Sequence, residues 1–118
     1  MKPSERDAAH LWDMLEAARH AKELVADVSF DDLMEDVRTR YALERALEII
    51  GEAARRVSPA LQARHSEIPW KGIIGFRNVL AHEYGEIDYR RLFTVATQGV
   101  PALISSLQRM LGEKPKHK

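Results

Sequence analysis

The 118-residue chain contains no cysteine. That absence excludes disulfides, thiolate metal sites and cysteine nucleophiles together, and it is compatible with a reducing cytoplasm, which is where we expect the protein to work. The chain also has no run near the roughly 18 uninterrupted apolar residues that a membrane span requires. Its opening, MKPSERDAAH, lacks the apolar segment of a secretion signal, so no membrane partner is expected. Net charge is missing too: 18 Lys and Arg balance 18 Asp and Glu, which argues against a binder that is basic over its whole surface. No stretch alternates apolar and polar residues as a half-buried strand does, and no repeat or low-complexity segment occurs.

What the chain does have is apolar material for a core, 45% of its residues, with 31% charged residues to keep it in water. At this length one core is the economical solution, so a single domain over 1–112 is expected, with 113–118 (EKPKHK) as a flexible basic tail. The neutral sum hides a division: residues 1–36 carry four basic and ten acidic side chains, and residues 37–118 carry fourteen basic and eight acidic. Asymmetry of this kind leaves room for a local positive surface and a polyanion partner.

Apolar residues recur at helical spacing throughout. Ser4 followed by Asp7 reads as a capping box with Asp in place of Glu, opening a helix over about 4–27 that buries Leu11, Leu15, Ala18 and Val25. Ser29 to Asp32 reads as a turn and N-cap, followed by one long stripe from Leu33 through Val37, Tyr41, Leu43, Leu47, Ile50 and Ala54 to Val57. Ser58-Pro59 stops it, and Pro59 suits the first turn of a short helix to about His65. A further helix spans Pro69 or Trp70 to about His82. Asp88 then caps a last amphipathic helix to Leu111, kinked near Gly99 to Pro101, where proline removes a backbone hydrogen bond. The expected fold class is therefore all-α, an antiparallel bundle of about four to five helices with Trp12, Tyr41 and Phe93 in its core.

Chemistry concentrates in Trp70-Lys-Gly-Ile-Ile-Gly-Phe-Arg-Asn-Val-Leu-Ala-His-Glu-Tyr84. On a helix Asn78 and His82 are i and i+4, so the amide can hold an imidazole nitrogen, and Arg77 beside them offers a planar, bidentate anchor for a phosphate. A phosphate clamp next to a group that titrates near neutral pH is the minimum for metal-free RNA cleavage, in which the 2′-hydroxyl attacks its own phosphodiester. Spacing alone favours a bland arrangement, with His82 at a helix end, Asn78 ending a turn and Arg77 in a surface ion pair.

The run Arg77-Asn-Val-Leu-Ala-His82-Glu-Tyr84 resembles the R-x4-H-x-Y signature of HepT-like toxins in the HEPN superfamily of small α-helical domains. Tyr41-Ala-Leu-Glu-Arg-Ala-Leu-Glu-Ile-Ile-Gly-Glu-Ala-Ala54 resembles the family's second long helix. Pro69-Trp70 with Gly75-Phe76 resembles its lead-in to the signature, so the likeness covers about residues 8–112. The resemblance implies an HEPN-like bundle and a metal-independent endoribonuclease, needing neither metal nor other cofactor, that acts as a homodimer with two motifs in one cleft. It implies a type VII toxin–antitoxin pair with an MntA-type minimal nucleotidyltransferase antitoxin that places AMP on the signature tyrosine. By position, Arg77, Asn78 and His82 are then catalytic and Tyr84 is the AMP acceptor.

Among basic residues, Lys71, Arg90 and Arg91 are the candidates for RNA contact, while Arg55, Arg56 and Arg64 could extend the same rim. Glu44, Glu48 and Glu52 recur every fourth residue without the E-x-x-H partner of di-iron bundles, and Arg45 with Glu48 and Glu52 nearby reads as a surface ion-pair former. Glu52 is placed to orient Arg77 or His82 if the two helices face each other. His10, His20, His65 and His117 read as solvated. The competing function is a non-catalytic HEPN subunit that binds nucleotide or only scaffolds a nucleotidyltransferase.

Overall fold

The computed structural model describes residues 3–82 and 87–112, with side chains for 3–80 and 87–112. Every element among them is helical: α1 (Glu5–Val25), α2 (Phe30–Glu35), α3 (Val37–Arg56), α4 (Pro59–Arg64), α5 (Trp70–His82), α6 (Tyr89–Thr94) and α7 (Val100–Leu111), with a π-helical turn, Val95–Gly99, joining the last two. The expected all-α fold is what forms. The expected tail, 113–118, lies outside the described residues.

The helix starts follow local hydrogen-bonding chemistry. Ser4 Oγ accepts from the Asp7 N–H at 3.1 Å, and Ser58 Oγ accepts from Leu61 N–H at 3.3 Å with Pro59 behind it. Asp88 Oδ1 accepts from Arg91 N–H at 3.2 Å. The reciprocal box forms at α2, where Ser29 N–H donates to Asp32 Oδ2 at 3.1 Å and Asp32 N–H to Ser29 Oγ at 3.0 Å. At α1 the expected box is only half made. The Asp7 carboxylate leaves its own helix and accepts from Ser58, N–H at 2.9 Å and Oγ–H at 2.6 Å.

The long second helix is in fact two. Asp36, at φ −119° and ψ 94°, ends α2 and caps α3, its Oδ1 accepting from Arg38 N–H at 3.1 Å and Thr39 N–H at 3.2 Å. The apolar stripe runs through the break because both helices use the same core, which hides the corner from periodicity. Arg40 clasps the corner: its guanidinium donates to the Leu33 and Met34 carbonyls at the end of α2 and stacks 5.5 Å from the Tyr89 ring.

Helix α3 packs on α1 at one side and α5 at the other, and α1 also packs on α7. The result is a slab of 45 × 38 × 19 Å, about two helix diameters thick. Leu11, Met14, Leu15 and Ala18 of α1 meet Leu43, Leu47, Ile50 and Ala54 of α3 and Leu103, Ile104 and Leu107 of α7 in one apolar cluster.

Two aromatic residues expected in that core lie outside it: Trp12 is 43% and Tyr41 65% exposed. Tyr41 is two residues from Leu43, about 200° around the helix, so it shares the outer face with Val37. Phe93 is half-buried and meets Phe30 edge to face at 5.9 Å. The last helix answers its proline with a π-turn: Val100 N–H bonds to the Val95 carbonyl, and Pro101 enters at the start of α7. Backbone angles stay right-handed helical at Thr94, Val95, Gly99 and Val100.

Candidate active site

Helix α5 begins where Trp70 is locked in place, its indole N–H donating to the His65 carbonyl at 3.0 Å and its ring buried. From there a 13-residue helix runs to His82. Phe76 turns into the core, Lys71 and Asn78 lie on the exposed face, and Arg77 sits between, half-buried. Lys71 and Asn78, seven residues apart, share one stripe.

Arg77 is held from two directions. Its Nη1 donates to the Asn78 Oδ1 at 3.1 Å. Its aliphatic stem crosses α3 at Gly51, where an added Cβ would stand 2.2 Å from Arg77 Cβ and 2.9 Å from Cγ. The Nε–H is buried and has no hydrogen-bond partner among the described residues. A guanidinium whose stem is fixed keeps its planar fork in a set position, the arrangement in which arginine can bind an anion through two N–H groups. The side chain of His82 and the whole of Tyr84 lie outside the described residues; the backbone of His82 is the last residue of α5.

The glutamates of α3 are each occupied elsewhere. Glu44 Oε2 accepts from Tyr89 O–H at 2.8 Å, Glu48 pairs with Arg45 at 2.8 Å and Glu52 with Arg56 at 3.6 Å. Glu52 thus faces α1, in a polar groove of about 330 Å³ with His10, Asp13 and His20, and does not meet Arg77. Burial, reinforced by the Glu44 carboxylate, pushes the Tyr89 hydroxyl pKa up. This bond ties the start of α6 to α3, just beyond the segment that carries Tyr84. No three His, Asp or Glu side chains gather as a metal site among the described residues.

Arg90 and Arg91 are exposed but not loose. Arg90 lies 4.3 Å over the Phe30 ring and Arg91 5.0 Å over Phe76, the neighbour of Arg77. Arg91 also stands at the rim of an apolar groove of about 370 Å³ between α3, α5 and α7, floored by Leu47, Ile50, Phe76 and Leu103. Of the histidines expected in solvent, His20 is exposed, His10 is half-buried, and His65 is half-buried with Nδ1 3.4 Å from Glu67. His117 lies outside the described residues. No described helix is long and apolar enough to cross a membrane.

The residue that sequence reading missed is Gly51, whose only signal was a glycine in the middle of an otherwise helix-favouring run. The pattern of the ribonuclease HepT-like family matches residues 14–110. A "Putative RNase" of Methanocaldococcus jannaschii is 39% identical over 85% of this chain and 93% of its own length. The "Probable ribonuclease HepT" of Thermococcus cleftensis is 34% identical over 93% of this chain and 98% of its own. A "Putative RNase" of Caldanaerobacter subterraneus subsp. tengcongensis is 33% identical over 86% and 91%. No solved structure matches the chain significantly. With its family pattern spanning α1 to α7 and its arginine seated on α5, the chain belongs to the ribonuclease HepT-like family of the HEPN superfamily.

Proposed function

We propose that this protein is a metal-independent endoribonuclease, the toxin of a toxin–antitoxin pair, whose active site forms when two chains bring their Arg77 and His82 together. The observation that carries this reading is Arg77 itself, half-buried and bonded to Asn78, with a dry Nε–H near the end of the helix that closes on His82. Guanidinium groups in this setting bind the scissile phosphate and the charge that builds on it in the transition state. Cleavage needs a base for the 2′-hydroxyl and an acid for the leaving 5′-oxygen, and one motif supplies a single imidazole. Pairing two motifs supplies both. The attacking 2′-oxygen forms its bond to phosphorus as the 5′-oxygen bond breaks, leaving a 2′,3′-cyclic phosphate and a 5′-hydroxyl.

The antitoxin, a minimal nucleotidyltransferase of the MntA type, transfers AMP to Tyr84 in this reading. A nucleotide two residues from His82 adds bulk and negative charge to a cleft that must accept phosphate, and blocks it. Lys71, on the stripe of Asn78, and Arg90 and Arg91 beyond the motif guide the RNA strand by charge.

The test is RNA cleavage by the purified full chain in EDTA, beside Arg77→Ala and His82→Ala. The expected result is cyclic-phosphate ends from the wild type and loss of cleavage in both variants. Equal cleavage by all three, a 5′-phosphate product or abolition by EDTA overturns the reading.

A further inference from the structure

We infer that Gly51 is a positioning residue for Arg77: the bare backbone of α3 at this point forms the seat that holds the arginine stem and keeps its Nε–H dry. The geometry leaves no room for any other residue. A Cβ at position 51 would stand 2.2 Å from Arg77 Cβ, 2.9 Å from its Cγ and 3.0 Å from the Ile73 carbonyl oxygen. Carbon atoms in contact keep about 3.5–4.0 Å. Arg77 Cβ is fixed by its own backbone, so no rotamer change relieves the clash, and α5 has to move off α3 by more than an ångström.

Gly51 is buried in the C-terminal third of α3, inside the helix, where alanine would be the better helix former. Gly72 and Gly75 of α5, in contrast, have nothing within 4 Å of an added Cβ. The close approach is therefore specific to the place where the arginine crosses. Its consequence is positional: the stem is clamped between two helices and the guanidinium projects from a fixed point, with Nη1 on Asn78 and Nε shielded. A catalytic group displaced by about an ångström can cost on the order of a hundredfold in rate. The spatial part of this inference stands on the contacts alone, and its catalytic part rests on the proposed ribonuclease activity.

The experiment compares the full-length wild type with Gly51→Ala and Gly72→Ala. It reads helical content by circular dichroism, solvent exchange of the Arg77 Nε–H by NMR, assigned by its disappearance in Arg77→Lys, and the rate of RNA cleavage. Expected are a slowly exchanging Nε–H in the wild type and in Gly72→Ala. Gly51→Ala should retain its helical content, exchange this proton at least tenfold faster and cleave RNA at least tenfold more slowly. A fast-exchanging Nε–H in the wild type, or unchanged exchange in folded Gly51→Ala, overturns the inference. Should Gly51→Ala fail to fold, Gly51→Ala with Arg77→Gly should regain helical content, because the 2.2 Å contact is gone; failure of that double variant to fold also overturns it. A wild type that cleaves no RNA rejects the ribonuclease reading, while the exchange comparison still decides the role of Gly51.

Discussion

Asp7 and Ser58 join the first turn of α1 to the junction of α3 and α4 by two hydrogen bonds to one carboxylate, 2.9 Å from the backbone N–H and 2.6 Å from the hydroxyl. Among the described residues Asp7 is the charged side chain that is buried, and Ser58 is at the same time the N-cap of α4. Burial by itself raises the carboxyl pKa. The two Ser58 bonds, with positive charge at His10 and Arg64, outweigh it, and the net shift is downward.

A depressed folded-state pKa adds stability above the unfolded value, about 3.9 for aspartate, and that part is lost as pH falls through the folded value. Urea unfolding of the wild type should therefore weaken below about pH 4. In Asp7→Ala this group's share of the acid sensitivity should be gone, and stability at pH 7 should be lower by about 1–3 kcal/mol, because the Ser58 donors lose their buried acceptor. Equal unfolding midpoints for the two proteins at pH 7 would show that the carboxylate holds nothing.

The same pair shows which parts of the structure the sequence announces. Serine and aspartate N-caps are local, so Ser4, Ser58 and Asp88 place their helices correctly. Whether the Asp7 carboxylate closes its own capping box or reaches a residue 51 positions away is decided by how α1 docks, which no short window contains. The corner at Asp36 and the outward faces of Trp12 and Tyr41 escape for a related reason: an apolar stripe specifies that a face is buried, but not where the chain turns or which edge of the stripe stays wet. At the candidate site, the arginine and its asparagine neighbour are readable as a motif. The seat at Gly51 is not, since it exists only once α3 and α5 are packed.

Tyr89 offers a spectroscopic check on the tie between α6 and α3. Its hydroxyl is partly buried and donates to Glu44 at 2.8 Å, and both effects favour the neutral phenol. In a spectrophotometric titration one tyrosine should ionise later than an ordinary phenol, and Tyr89→Phe should remove that late component. A group with a raised folded-state pKa adds stability that is complete below the unfolded value, about 10, and is lost as pH rises through the folded value. The Phe variant should thus lose about 1 kcal/mol at pH 7 for one hydrogen bond and show less alkaline sensitivity than the wild type.

Arg91 separates charge from stacking. Its guanidinium covers Phe76 at 5.0 Å while remaining exposed, so it can meet a phosphate and steady the motif helix together. If it contacts RNA, Arg91→Ala should weaken binding and reduce the slope of log affinity against log salt by about 0.7, the share of one phosphate contact on a single strand. Arg91→Lys should preserve the slope but lose the planar stack, with a small fall in thermal stability. An unchanged slope in Arg91→Ala removes this residue from the RNA path, and the same measurement on Lys71→Ala tests the contact proposed on the exposed face of α5.

Modification of Tyr84 makes the regulatory half of the proposal measurable. The motif places this phenol two residues after His82, and AMP transfer to it replaces a hydroxyl proton with a phosphodiester-linked nucleotide, releasing pyrophosphate from ATP. Co-expression with the cognate nucleotidyltransferase should add mass in whole adenylate units, and fragmentation should locate them at Tyr84. The modified protein should lose RNA cleavage while keeping its helical content, because in this proposal the added group blocks the cleft by bulk and charge. Tyr84→Phe should take up no adenylate and should stay active in the presence of the nucleotidyltransferase. The decisive comparison is between these two proteins under identical co-expression: an adenylate that persists in Tyr84→Phe, or inhibition of that variant equal to the wild type, moves the control point away from Tyr84.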